Sequence, residues 1–288
     1  MCIRDRTYWI EEQAYGGSAS SLALSPRVAP QMIGLGLLEA IPEARLTELS
    51  DPDDLDGDGI SGRPNLVLDV EAGEFVVGRF GWKSEQPSVR QQSAGAFNGD
   101  IGITTSVFPS QDCTEAEATC ASAQAGGDPE ATDSVLDAVV TYSRLLAPPA
   151  RFRYAEQGVL QGKRLFSEIG CDSCHTPKHE TGTSDLDELS GQTIWPYTDL
   201  LLHDMGEALS DDRPTFSALG SEWRTPPLWG VGRIPEVNRH DRLMHDGRAR
   251  GVAEAILLHG GEGAAAREAF AALSSDERTK VVEFVESL

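Results

Sequence analysis

Cys171-Asp172-Ser173-Cys174-His175 sets two thiols three positions apart with an imidazole directly after the second. This spacing suits a c-type haem attachment site, where both thiols add to the porphyrin vinyl groups and His175 ligates the iron from one face. Zinc sites and thioredoxin-like redox pairs also use two cysteines at this spacing. A haem iron has a second axial position, filled or open. His179, His203, Met205, His240, Met244, His245 and His259 lie downstream, and spacing does not choose among them. His179 is too close to His175 to cross easily to the opposite face. His259 follows the apolar run 253–258 and precedes Gly260-Gly261, as at a helix ending on glycine, and such an end could present an imidazole. Two imidazoles lower the potential relative to His/Met, because a neutral thioether favours reduced iron.

A second constellation is Asp54-Leu55-Asp56-Gly57-Asp58-Gly59. Hard oxygens at alternate positions around a glycine turn resemble the start of an EF-hand calcium loop. The twelfth position holds Asn65 instead of the bidentate Glu, so the choice lies between an incomplete calcium loop and a solvated acidic turn. Trp82 and Trp223 are two of five tryptophans; each could pack in the core or relay an electron or hole. Cys113 and Cys120 flank a polar, turn-rich stretch, which suits a short-loop disulfide in an oxidising compartment, or else two surface thiols.

These groups need a scaffold. Residues 7–149 are irregular and rich in Gly, Pro, Asp and Ser, with a short apolar piece over 32–41. The spacing of Val135, Val139, Tyr142 and Leu146 predicts a helix over 133–146, stopped by Pro148-Pro149. A domain boundary is expected there. Residues 157–169 read as a helix running into the thiol pair, with Gly162 and Phe166 one turn apart for close packing. Ser274 and Glu277 predict a capping box, and Val281, Val282, Val285 and Leu288, with Phe284 beside them, predict the stripe of a final helix. Two such helices crossing around a haem site form the cytochrome c scaffold. The fold expected is mainly α: cytochrome c-like domains with long irregular loops, the second over 150–288.

The 288 residues carry 24 Lys and Arg against 46 Asp and Glu, a net charge of -22 that argues against nucleic acid and anionic membrane surfaces as partners. No apolar run is long enough to span a membrane. Residues 1–6, Met1-Cys2-Ile3-Arg4-Asp5-Arg6, read as a translated sequencing adapter fused to a gene broken at its 5′ end, with any signal peptide lost.

Several stretches together resemble the di-haem oxidoreductases, also called thiol oxidoreductases, relatives of the bacterial di-haem cytochrome c peroxidases. They are residues 27–30, 34–41, the acidic loop at 53–63, 78–83, 197–206, 222–230, 245–249 and 258–262. The resemblance implies two haems c in two cytochrome-like domains, one receiving peroxide and the other passing electrons to it, in a periplasmic or secreted protein. Its donor is an electron-donor protein or a small redox partner. Cys171, Cys174 and His175 match the second haem site, and His259 matches the position of its other axial ligand. The first attachment site is expected upstream of residue 7, so 7–149 is the remainder of the first haem domain. Trp82 resembles the tryptophan between the haems. Gln91 or Gln92, with Asp100, resembles the Gln and acidic residue that face peroxide, although the family's acid is Glu. Thr225 and Pro227 resemble backbone calcium ligands between the domains, where the partner Asn expected near position 34 is Gly34. A plain electron-transfer cytochrome without substrate chemistry is the rival reading.

Overall fold

The structure, a computed structural model, describes residues 8–11, 23–114 and 116–288. Cys2 and the rest of residues 1–6 lie outside the described residues. Ten helices run along the described chain: α1 (Leu35–Glu39), α2 (Glu43–Leu49), α3 (Val89–Ile101), α4 (Ala118–Ala121), α5 (Asp133–Leu145), α6 (Gln157–Glu168), α7 (Ile234–Asn238), α8 (Gly251–Leu258), α9 (Ala264–Ala272) and α10 (Ser275–Glu286). Four antiparallel two-stranded ribbons lie between them: β1 (Leu66–Asp69) with β2 (Glu74–Val77), β3 (His179–Glu180) with β4 (Thr193–Ile194), β5 (Leu202–Asp204) with β6 (Glu222–Arg224), and β7 (Arg242–Leu243) with β8 (Ala249–Arg250). The mainly α expectation therefore holds in coarse form. No strand exceeds four residues among those described, and long irregular segments join the helices.

The two helices expected to cross do so. Val159 and Phe166 of α6 and Val281, Phe284 and Val285 of α10 bury into one cluster with Tyr197, Val252 and Phe270. Gly162 sets the closeness of this crossing, since a Cβ there would collide with the Lys280 carbonyl oxygen. The start of α10 is the expected capping box. Ser274 Oγ accepts from Glu277 N at 3.3 Å, and the Glu277 carboxylate accepts from Ser274 N at 2.8 Å. Two donors orphaned by the helix start are thereby satisfied.

Helix α5 corrects the expected stripe. Val135 and Tyr142 are exposed, whereas Leu136 and Ser143 are buried and Val140 packs beside them. The true face is displaced by one position because α5 lies against α1 and α3 through Leu136 and Val140. Two apolar stripes overlap on this helix, and only its neighbours select one.

A second cluster joins Leu38, Ile41, Leu46, Val77, Phe80 and Val89 to Ile194, Leu200, Leu201 and Trp229. It draws side chains from both sides of Pro148-Pro149, so packing is shared across that break. Gly34 opens α1 at φ 66° with the Trp229 indole where a Cβ would stand, so a side chain there meets both backbone strain and a ring. Cys113 and Cys120 form the expected disulfide, with 5.8 Å between their Cα atoms. No described helix is long and apolar enough to cross a membrane.

Candidate functional site

The end of α6 delivers the thiol pair. The chain turns through Gly170 at φ 82° into the short 3-10 turn Cys171–Ser173, and His175 N closes onto Cys171 O at 3.0 Å. Both thiols are free and half-buried. Burial pushes Cys171 up to about 12, with Asp172 and Cys174 adding to the rise, and burial also raises Cys174. These are thiols rather than thiolates at neutral pH, unlike thioredoxin-type pairs, whose reactivity rests on a lowered thiol pKa. Zinc fares no better. Among the described residues, the only group of three or more possible ligands within 4.8 Å of one another is Asp54, Asp56 and Asp58.

His175 hydrogen-bonds through Nδ1 to the Tyr197 carbonyl at 3.0 Å. A carbonyl can only accept, so Nδ1 carries the proton and Nε2 keeps its lone pair. Tyr197 turns that carbonyl inward at φ 55°, a left-handed conformation that costs a residue with a side chain roughly 1–2 kcal/mol. His259, at the end of α8, repeats the arrangement: its Nδ1 meets the Ala255 carbonyl at 2.7 Å. Burial lowers His175 to about 4, the nearby His259 contributing to the drop, and burial lowers His259 as well. Both imidazoles are therefore neutral, each with a metal-ready Nε2. A backbone acceptor on the far nitrogen is the usual way a ligating histidine is oriented. Two free thiols and two such imidazoles fit a covalently held porphyrin.

The other downstream histidines have partners of their own. His179 meets Thr198 O through Nε2 at 2.7 Å, and His240 Nδ1 accepts from Arg242 N at 3.2 Å. His245 lies flat on Trp223, with 3.7 Å between ring centroids and 8° between planes. His203 is clamped by two carboxylates, Nε2 to Asp199 Oδ2 at 2.8 Å and Nδ1 to Glu262 Oε2 at 2.7 Å. Burial is the largest single influence on His203 and opposes its charge, but the Asp199 charge and the hydrogen bonds to Asp199, Cys174 and Glu262 together raise its pKa well above 6.5. Two ionised carboxylates can only accept, so both ring nitrogens donate and no lone pair remains for iron. Glu262 also accepts from Ser61 Oγ at 2.7 Å and Asp204 N at 3.2 Å, and His203 Nδ1 stands 3.6 Å from Cys174 Sγ.

Trp82 is half-buried and donates from Nε1 to Val28 O at 2.7 Å, with His245 edge-on at 6.5 Å. Behind it, the fully buried Lys83 ammonium donates to the carbonyls of Leu219, Gly220 and Glu222 at 2.7–3.0 Å and pairs with Asp211 at 3.3 Å. The same ammonium lies 4.0 Å over the Trp223 ring.

The residues expected to face peroxide all lie along α3. Gln91 is buried, and its amide bridges Val70 N (2.9 Å) and Leu68 O (3.0 Å), so both ends hold the β1 terminus and neither is free to face substrate. Gln92 is half-buried one position on, and Asp100 is exposed at the far end of α3. The Thr225 carbonyl accepts from Thr198 Oγ1 at 2.5 Å and from the Arg224 guanidinium at 3.4 Å. Pro227 lies half-buried two positions on. In the acidic loop the carboxylates of Asp54, Asp56 and Asp58 do gather, each also accepting a backbone N–H from its own turn. Asn65, at the twelfth position, is buried and spent on Lys83 O, Thr215 O and Ser217. The sequence carried no signal of the Asp199–His203–Glu262 chain beyond the polar residues within 197–206 and 258–262.

Residues 19–288 match the family described as "Di-haem oxidoreductase, putative peroxidase". No curated protein is similar to the chain. Among solved structures, a chain of hydrazine synthase from Kuenenia stuttgartiensis, studied under 20 bar xenon, is 14% identical with a TM-score of 0.39. That alignment covers 99% of this chain and 100% of the other, a likeness too slight to carry an argument.

Proposed function

Because the chain belongs to the di-haem oxidoreductase family, a family of redox haem proteins, we propose that it attaches one haem c at Cys171 and Cys174, with His175 and His259 as axial ligands. The observation that carries this reading is the matched pair of neutral imidazoles, each with Nδ1 on a backbone carbonyl and Nε2 free of hydrogen bonds. Bound there, the haem supplies one-electron chemistry at its iron. The chain's own residues do the rest. Cys171 and Cys174 would hold the haem through thioether bonds, each S–H adding across a vinyl double bond, and the carbonyls of Tyr197 and Ala255 keep the two rings in the ligating tautomer.

In this reading Trp82 would lie on the electron route from the site held by His175 and His259 to a second, peroxide-reacting haem, for which this chain carries no CxxCH. Gln92 and Asp100 would orient peroxide and move its protons there, since O–O cleavage calls for a carboxyl near the leaving oxygen. The commitment of Gln91 to β1 and the exposure of Asp100 favour a second reading, an electron-transfer cytochrome without substrate chemistry. The donor is an electron-donor protein or small redox partner, and the location is periplasmic or secreted. Calcium in the Asp54–Asp58 loop belongs to the same proposal.

The test is expression with a secretion leader and c-type maturation. Haem that survives denaturing electrophoresis, and is lost in Cys171→Ser/Cys174→Ser, supports the attachment site. A pyridine haemochrome without haem c absorbance overturns it. Peroxide reduction with an added electron donor separates the enzyme from the carrier.

A further inference from the structure

Resting on that haem reading, we propose that Asp199, His203 and Glu262 form a positioning chain that couples the two axial-ligand segments and sets the charge beside the Cys174 attachment point.

Three observations support it. First, the chain is continuous, with Asp199 and His203 buried and Glu262 half-buried. Asp199 and His203 are 2–3% exposed, and the Asp199–His203–Glu262 contacts are 2.8 and 2.7 Å. Second, its ends lie on different segments of the site. Asp199 N bonds to Cys174 O at 3.1 Å, which ties the chain to the residue before His175. Glu262 sits in the loop that follows His259 and accepts from Asp204 N of β5 and from Ser61. Gly261 presses the same loop onto β5, where a Cβ would collide with Asp204 O. The position of His259 relative to His175 therefore runs through His203. Third, the imidazolium stands 3.6 Å from Cys174 Sγ. Removing a buried hydrogen-bonded charge leaves its partners uncompensated, so the chain acts as a unit.

A fixed cation near a redox centre favours the reduced state, and a fixed anion disfavours it. Changes at His203 and Glu262 therefore have opposite signs, a pattern that mere loosening of the fold does not produce. The test uses the haem-loaded full chain at mildly acidic pH, reading midpoint potential together with visible and EPR spectra. Glu262→Gln removes a negative charge but keeps an acceptor for His203, and shifts the midpoint upward. His203→Gln removes the positive charge and shifts it downward. Glu262→Ala frees the His259 loop and converts part of the low-spin spectrum to high-spin, and Glu262→Asp restores part of the low-spin signal.

Midpoints that stay put, or that move in the same direction in both Gln variants, overturn the proposal. If His203→Gln does not fold, Asp199→Asn serves in its place: an upward shift matching that of Glu262→Gln supports the chain, and no shift overturns it. Nitrogen NMR of the parent protein gives an independent reading. Two protonated ring nitrogens on His203 support the clamp, and a lone-pair nitrogen overturns it. A parent without covalent haem overturns the reading beneath the proposal, whereas unmoved midpoints in a haem-loaded parent overturn the chain alone.

Discussion

The Nδ1 atom of His175 donates to the Tyr197 carbonyl at 3.0 Å, and that bond leaves Nε2 as the nitrogen with a lone pair. Tyr197 reaches this position because its ring is fully buried among Phe166 and Phe284, edge-on to both at 6.0 and 5.6 Å. The crossing of α6 and α10 thus orients an imidazole that belongs to neither helix.

Replacing His259 by methionine tests the opposite face. A neutral thioether favours reduced iron, so His259→Met raises the midpoint potential while covalent haem content stays unchanged. Spectroelectrochemistry checks this. An unaltered potential would falsify the ligand assignment.

The helix crossing has no room for a side chain at Gly162, whose Cβ would meet Lys280 O. Gly162→Val therefore lowers stability by about 1–3 kcal/mol through overpacking, and by more if α10 must shift. Urea denaturation followed by circular dichroism measures it. The neighbouring exposed Leu160→Ala serves as the control and changes little.

Lys83→Met leaves Asp211 and three carbonyls without their cation. A loss of about 3–5 kcal/mol is expected, as for breaking other buried charge pairs. Thermal melts of the variant beside the parent supply the number. A stability within error of the parent shows that the carbonyls find water instead.

Acid sensitivity has a defined sign. Burial lowers His245 from 6.5 to about 4. The folded state holds this ring neutral while the unfolded chain protonates it near 6.5, so the contribution to stability is present above that pH and declines as pH falls through about 4. His175 and His259 act in the same sense where no metal holds them. His245→Gln should flatten the stability profile between these limits in denaturation series at successive pH values. An unchanged slope removes His245 from the account.

Calcium, if taken up by the Asp54–Asp58 loop, stabilises the folded state by mass action. The thermal midpoint then rises with calcium, falls back with a chelator, and loses the response in Asp56→Asn. A parent protein indifferent to calcium leaves the loop as a self-capped acidic turn.

Features carried by short spacings were legible in the amino-acid order. CxxCH, the capping box at Ser274 and Glu277, the Cys113–Cys120 disulfide and the separate patterns of α6 and α10 each depend on residues within a few turns of one another. Local geometry fixes what such residues can reach. What lay beyond spacing was decided by contacts distant in sequence. Gln91 looked free for substrate until Val70, 21 residues away just past β1, and Leu68 within it took the two ends of its amide. The α5 stripe was misplaced by one position because α1 and α3 choose the buried face. His203 could have been an iron ligand by type and position. Asp199 and Glu262 approach it from separate segments, and two carboxylates leave an imidazole no lone pair to offer. Tertiary structure thus spends both ring nitrogens of His203 on carboxylates and leaves the Nε2 of His259 without a hydrogen bond.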